Sequence, residues 1–309
     1  MPIEVLSPGM QRIVSAKQEP ELLASGFGGP WGPAEGPVWF KEGGYLLFTD
    51  IHNDRRLRYT PGQGVTVDQQ GTGRANGQTR DHLGRLVAAH HDLRRVDRIE
   101  SDGGMTVIAN SYRGQRLNRP NDVVVKSDGA VYFTDPPPRP GITQPDATSE
   151  LDLAGVYRVS PDLGRINLLV RDFINPNGLA FSPDEKILYI NCSQQRHVRA
   201  FDVDDYGMLN LHTDRMFFKP PVQDRRGIPD GMKVDVEGNL YCTGPGGIWV
   251  VAPSGEPLGV IVTPATNMAW GDDDWSTMYF VGSAVARTPG NLYRIRLNIP
   301  GVPVPRGAL

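Results

Sequence analysis

The sequence predicts an all-β fold, a six-bladed β-propeller in which an N-terminal strand completes the last blade. Three observations carry this reading. Short β-rich runs alternate with turn residues throughout, with 36 Gly and 27 Pro spread over 309 residues. Three strand types recur six times in one order. The last repeat lacks an outer strand, and a matching strand stands near the start of the chain. Repeats of about 40–50 residues, each worth four strands, are the signature of a propeller. A sandwich or barrel would not explain six repetitions of order and spacing. A single blade cannot bury its faces alone, so the six form one domain, against the two that length alone suggests.

The innermost strands are read at AEGPVWF (34–40), ANGQTR (75–80), PNDVVV (120–125), PNGLAF (176–181), PDGMKV (229–234) and TNMAWG (266–271). Second strands follow at YLLFTD (45–50), RLVAAH (85–90), AVYFTD (130–135), ILYIN (187–191), LYCTG (240–244) and TMYFVG (277–282). Third strands are RRLRY (55–59), RRVDRI (94–99), GVYRV (155–159), HVRAF (197–201), GIWVV (247–251) and NLYRI (291–295). Outer strands are VTVDQQ (65–70), MTVIAN (105–110), INLLV (166–170), RMFF (215–218) and PLGVIV (257–262). PELLASGF (20–27) resembles INLLVRDF (166–173) and supplies the missing one. The expected division is an N-terminal extension over 1–19, the propeller over 20–297 and a C-terminal tail over 298–309.

Composition narrows the function. The balance of 32 basic and 35 acidic residues gives a net charge of −3. With no basic run interleaved with aromatics, a nucleic-acid partner is not expected. No apolar stretch approaches the ~20 residues that span a bilayer, so no membrane partner is expected. The N-terminus lacks the basic start and apolar segment of a secretion signal, which makes a cytoplasmic monomer or small homo-oligomer the expectation. Cys192 and Cys242 each follow an apolar run and read as buried thiols. DVDDYG (202–207) opens like a calcium loop but has no Glu at the twelfth position, so it reads as a hairpin turn. No serine-nucleophile elbow, HExxH helix or P-loop is present.

The residue opening each innermost strand is Glu35, Asn76, Asn121, Asn177, Asp230 or Asn267. Asn-Gly and Asp-Gly are turn dipeptides, which accounts for part of the pattern. It does not account for Glu35, nor for polarity where the next residue is Asp122 or Met268. Pseudo-symmetry brings all six side chains to one axis, and carboxylates gathered there need a positive partner. Oxygen donors from Glu, Asp and Asn suit a hard divalent cation, Ca²⁺ best of all. No Cys or paired His builds a zinc tetrahedron, and Mg²⁺ and Mn²⁺ stay open.

Taken together, AEGPVWF, RLNRPNDVVVKSDGAVYFTDPP, FINPNGLAFSPDEKILYI and IPDGMKVDVEGNLYCTGPGGIWV resemble the SMP-30/gluconolactonase/luciferin-regenerating family, in particular its bacterial gluconolactonase branch. The resemblance runs from about residue 20 to 297. It implies a six-bladed propeller that hydrolyses lactones of sugar acids at one divalent cation, with Zn²⁺, Mn²⁺, Mg²⁺ and Fe²⁺ as alternatives to Ca²⁺. Residue by residue, it implies Glu35, Asn177 and Asp230 as metal ligands and Arg119 and Asn121 as substrate contacts, with Asn121 close to the metal as well. Asp230 is also the implied general base, and Asp135 is its substitute. His91 stands with His90 where a pocket wall is expected and is assigned to substrate binding. The chain departs from the sugar-lactone pattern at PPPRP (136–140), where Arg139 replaces an acidic residue. Two other functions fit the same ring: hydrolysis of an aryl ester or organophosphate, and a non-enzymatic scaffold with a structural Ca²⁺.

Overall fold

The computed structural model describes residues 2–139, 148–221 and 225–306. Six antiparallel sheets form the blades of a propeller. From the axis outward, blade 1 consists of Ala34–Phe40, Tyr45–Asp50, Arg55–Thr60 and Gly64–Gln70. Blade 2 consists of Ala75–Arg80, Leu86–His90, Arg95–Ile99 and Met105–Ala109. Blade 3 is Val123–Val125, Val131–Asp135, Gly155–Val159 and Ile166–Val170. Blade 4 is Pro176–Phe181, Ile187–Cys192, His197–Val203 and Leu209–Phe218. Blade 5 begins with Met232–Val234, Leu240–Gly244, Gly247–Val251 and Pro257–Ile261. Blade 6 is Asn267–Gly271, Thr277–Gly282 and Gly290–Arg296, and Glu21–Phe27 completes it.

Packing explains the texture of the sequence. Second strands such as VYFTD and TMYFVG are buried along their whole length, because both faces of a blade lie against neighbours. Outer strands alternate or turn polar, as in the largely exposed Leu209–Phe218. Trp39 of blade 1 stacks on Tyr279 of blade 6, with ring centroids 5.2 Å apart, so the seam carries as tight a core as any other joint. Cys192 and Cys242 are fully buried free thiols. Asp204 accepts the N–H groups of Tyr206 and Met208, which makes DVDDYG a hairpin turn.

Two features go beyond the sequence reading. Ile3–Val5 adds a fifth, outermost strand to blade 5, and the helix Gly9–Ile13 behind it buries Met10 and Ile13 in the core. At the other end, the chain after Arg296 crosses the far mouth of the channel. Val302 donates to Val234 O, Val304 packs with Val38, Leu47 and Leu86, and the Arg306 guanidinium donates to Phe181 O and Ser182 O. The innermost strands of blades 3 and 5 are also shorter than PNDVVV and PDGMKV suggest. Pro120 and Pro229 have no N–H to give a ladder, and Asp230 N donates to the Thr243 hydroxyl instead of a backbone carbonyl. Among the described residues no helix is long and apolar enough to cross a membrane.

Candidate active site on the propeller axis

The six residues that open the innermost strands surround the end of the channel away from the C-terminal tail. Asn76, Asn121 and Asn177 form a chain: Asn76 Nδ2 donates to Asn121 Oδ1 at 2.7 Å, and Asn121 Nδ2 donates to Asn177 Oδ1. Across the seam, Asn267 Nδ2 donates to Glu35 Oε2 at 2.8 Å. Asn177 is anchored in turn by donating to the Ser193 hydroxyl at 2.8 Å. Glu35, Asn76, Asn121 and Asn267 are buried, whereas Asn177 and Asp230 keep partial exposure on the open side.

The Asn-Gly dipeptides that read as turns are in fact strand residues, whereas Asp230-Gly231 lies just before its strand. Glu35-Gly36, Asn76-Gly77 and Asn177-Gly178 each lie where the pairing with the second strand shifts register. Such a bulge bends the strand and re-aims a side chain, here toward the axis. The glycine is required by the next blade. A Cβ on Gly178 would stand 2.0 Å from Asp230 O, and one on Gly36, whose φ is 49°, would stand 2.1 Å from Asn76 O.

Second strands fix the ring from behind. Thr49 donates to Asn76 O at 3.1 Å, Thr134 to Asn177 O at 2.7 Å, and Asn191 Nδ2 to Asp230 O. Each contact runs from one blade to the ring residue of the next. These three residues were not singled out from the sequence. They occupy one column of the second-strand alignment, two of them in the FTD that ends YLLFTD and AVYFTD, and that column is the signal that reveals them.

Charge on the axis is unbalanced. Glu35 Oε1 is buried without a hydrogen-bond partner, as is Asp122 Oδ2. Burial, and then the neighbouring Asp122, push the Glu35 carboxyl up to about 7. Burial, then Glu35 and Asp122, hold Asp230 well above the usual carboxylate range. Neither Asp122 nor Lys233 is expected in this group from the sequence; the Lys233 ammonium donates to Met232 O at 3.0 Å and reaches Asn267 Oδ1 at 3.4 Å. Among the described residues no set of three or more His, Cys, Asp or Glu side chains is gathered to hold a metal. A cation here therefore needs amide oxygens beside the carboxylates.

Arg119, His91 and Asn121 lie together. Arg119 Nη1 is 3.2 Å from Asn121 Oδ1 and 3.3 Å from His91 Nε2, and Arg119 Nε donates to Pro137 O at 3.3 Å. Burial, and then the nearby Arg139, bring this guanidinium down to about 10. Burial followed by Arg119 keeps the His91 imidazole neutral, well below its ordinary value. His90 turns elsewhere, with Nδ1 2.7 Å from Thr72 O and Nε2 3.5 Å from Asp97. Asp135 is fully buried and faces away from the ring chemistry. Its Oδ2 accepts the Asn118 N–H at 2.8 Å and its Oδ1 accepts the Arg119 N–H at 2.6 Å. Each oxygen thereby accepts one backbone N–H and braces the Arg119 loop. Asp50, at the same place in blade 1, likewise accepts from Gly28 N, Asn53 and Arg55.

Residues 33–284 match the SMP-30/Gluconolactonase/LRE-like region. A gluconolactonase from Zymomonas mobilis is 34% identical over 294 residues, covering 87% of this chain and 81% of that protein. The pentonolactonase XacC of Haloferax volcanii is 28% identical, covering 79% of each. Among solved structures, a gluconolactonase from Xanthomonas campestris superposes with a TM-score of 0.83 at 31% identity, covering 97% of this chain and 95% of that one. The chain belongs to the SMP-30/gluconolactonase/LRE-like family.

Proposed function

We propose that the chain is a lactonase that opens the cyclic ester of a sugar acid at a divalent cation on the propeller axis. The observation that carries this is the gathering of Glu35, Asp122 and Asp230 at that axis, with Glu35 Oε1 left without a donor and both Glu35 and Asp230 raised by burial first and by neighbouring carboxylates second. Buried like charges of this kind call for a bound cation. The lactonases among the relatives support the choice of substrate.

Glu35, Asn177 and Asp230, with Asn121 beside them, are the residues that would hold the ion. All are oxygen donors, the set that Ca²⁺ takes. When bound, the cation supplies Lewis acidity at the lactone carbonyl. Asp230 keeps partial exposure and takes the proton from the attacking water. This is the role of a general base, within reach of the water that attacks the carbonyl. Arg119, held by Asn121 and Pro137 and aimed by the Asp135 brace, stabilises negative charge that develops on the substrate oxygen. Neutral His91 offers an acceptor at Nε2 to Arg119 and Asn76 and keeps both in place against the substrate.

The test is acid release from a panel of sugar lactones, aryl esters and organophosphates, with and without a chelator. Lactone hydrolysis lost on chelation and restored by Ca²⁺ is the expected result. Hydrolysis that survives complete removal of metal overturns the metal mechanism. Turnover of aryl esters or organophosphates alone assigns the site to a different electrophile, and inactivity on all three leaves a scaffold.

A further inference from the structure

The charges of the propeller are segregated between its two faces. Connections on the ring side run from each outer strand to the next innermost strand and from each second strand to the third. Between the strand bounds they carry twelve Arg and Lys against seven Asp and Glu among the described residues. Connections between strands on the opposite side carry five against sixteen. The chain as a whole has a net charge of only −3, so this is a polarity and not an overall excess.

The acidic face has a local explanation. Asp81, Asp128, Asp184, Asp235 and Asp274 each accept a backbone N–H two residues on, the turn that closes the innermost hairpins. The basic face has no such explanation, because arginine brings no turn chemistry. Arg74, Arg94, Arg113, Arg196 and Arg287 all stand on ring-side connections with φ between 50° and 65°. Glycine or asparagine adopts that left-handed conformation at lower cost. Arg74 and Arg94 also lie within 3.5 Å of Asp92 and Glu150. With Asp54 as the exception at φ 50°, arginine recurs on the ring side where the backbone favours smaller residues, so positive charge predominates there.

At the base of this surface is Arg119, buried, whose guanidinium bonds the neutral Asn121, Pro137 and His91 while its backbone N–H donates to Asp135. Arg119 Nε donates to Pro137 O at 3.3 Å, two residues before Arg139, and Arg139 itself is exposed. Two guanidinium groups that repel each other beside a substrate site are complementary to an anion.

We propose that the lactone taken by this site carries an anionic substituent, a carboxylate or a phosphate ester, received by Arg139 with Arg119 behind it. This rests on the lactonase reading above and adds the charge class of its substrate. The polarised face draws such a molecule in, since steering of this kind raises association rates by about 10–10³-fold and weakens with salt.

The experiment measures kcat/KM for a neutral aldonolactone, an aldaric acid monolactone and a phosphorylated aldonolactone at low and high ionic strength, with wild type and Arg139→Gln. An anionic lactone is expected to exceed the neutral one by about tenfold or more, with a preference that shrinks as salt rises. The two anionic arms distinguish carboxylate from phosphate. Arg139→Gln is expected to lower the preference through KM more than through kcat. A neutral lactone used as well as the anionic ones, without salt dependence, overturns the proposal and leaves the lactonase reading standing. A preference that Arg139→Gln does not change also overturns it. Turnover of none of the three overturns both.

Discussion

Asn267 Nδ2 donates to Glu35 Oε2 at 2.8 Å, and this bond joins the last blade to the first on the axis itself. Asn267→Ala removes one of the two donors that Glu35 Oε2 has and leaves a buried carboxylate under-satisfied. The expected cost is about 1–3 kcal/mol, read by urea denaturation in the presence of chelator. Unchanged stability would mean that the bond contributes nothing to closure.

Asp135 and Asp230 separate by role. Asp135→Asn keeps the size of the side chain but turns one acceptor of a backbone N–H into a donor, so the Arg119 loop shifts and KM is expected to rise. Its pH–rate profile is expected to keep the wild-type shape. Asp230→Asn is expected to lower kcat by about 10²-fold or more, in line with the loss of a general base. A flattened profile in Asp135→Asn and an intact one in Asp230→Asn would reverse the assignment.

Metal-free protein is expected to lose stability as pH rises. Glu35 is raised from 4.5 to about 7 in the folded chain, so between these values the native state binds more protons than the unfolded one. Stability is then greatest below pH 4.5, as far as this group is concerned, and falls as pH passes through about 7. Asp135, also raised to about 7, acts in the same direction. Calcium at 100 times its Kd is expected to return about 2.7 kcal/mol. Melting curves from pH 5 to 8, with and without Ca²⁺, check both statements.

Gly178→Ala sets a Cβ 2.0 Å from Asp230 O, a backbone atom that cannot swing aside. The expected result is destabilisation of about 1–3 kcal/mol, together with weaker metal binding because Asp230 is displaced. Thr134→Val removes the hydroxyl that reaches Asn177 O and is expected to cost about 1 kcal/mol with a smaller effect on metal binding. Calorimetric titration with Ca²⁺ ranks the two.

Much of this was legible in the sequence because propeller symmetry repeats each instruction six times. Residues 20–27 matched 166–173 closely enough to identify the strand that completes blade 6. The ring could be aligned for the same reason, and Glu35 stood out because glutamate has no turn function. What escaped was whatever occurs once. Ile3–Val5 has no counterpart in any other blade, and nothing in a three-residue strand declares that it pairs with Pro257–Ile261. Asp122 and Lys233 stand where the other blades carry no charged residue, so alignment of the repeats does not reveal them. The brace that Asp135 gives the Arg119 loop was not legible either, because its sequence neighbourhood, FTDPP, shows nothing of the two N–H groups it accepts. The Asn-Gly pairs read as turns because the same residues that favour turns also permit two strands to touch.

The order of synthesis follows from where the seam lies. Glu35 comes from the first blade made and Asn267 from the last, while Glu21–Phe27 waits for Gly290–Arg296 before it has a partner. A nascent chain can therefore stack blade upon blade and still have an open ring with one carboxylate on its rim. The proposed centre comes into being only when the final strands emerge, so truncated products of this gene are expected to be inert.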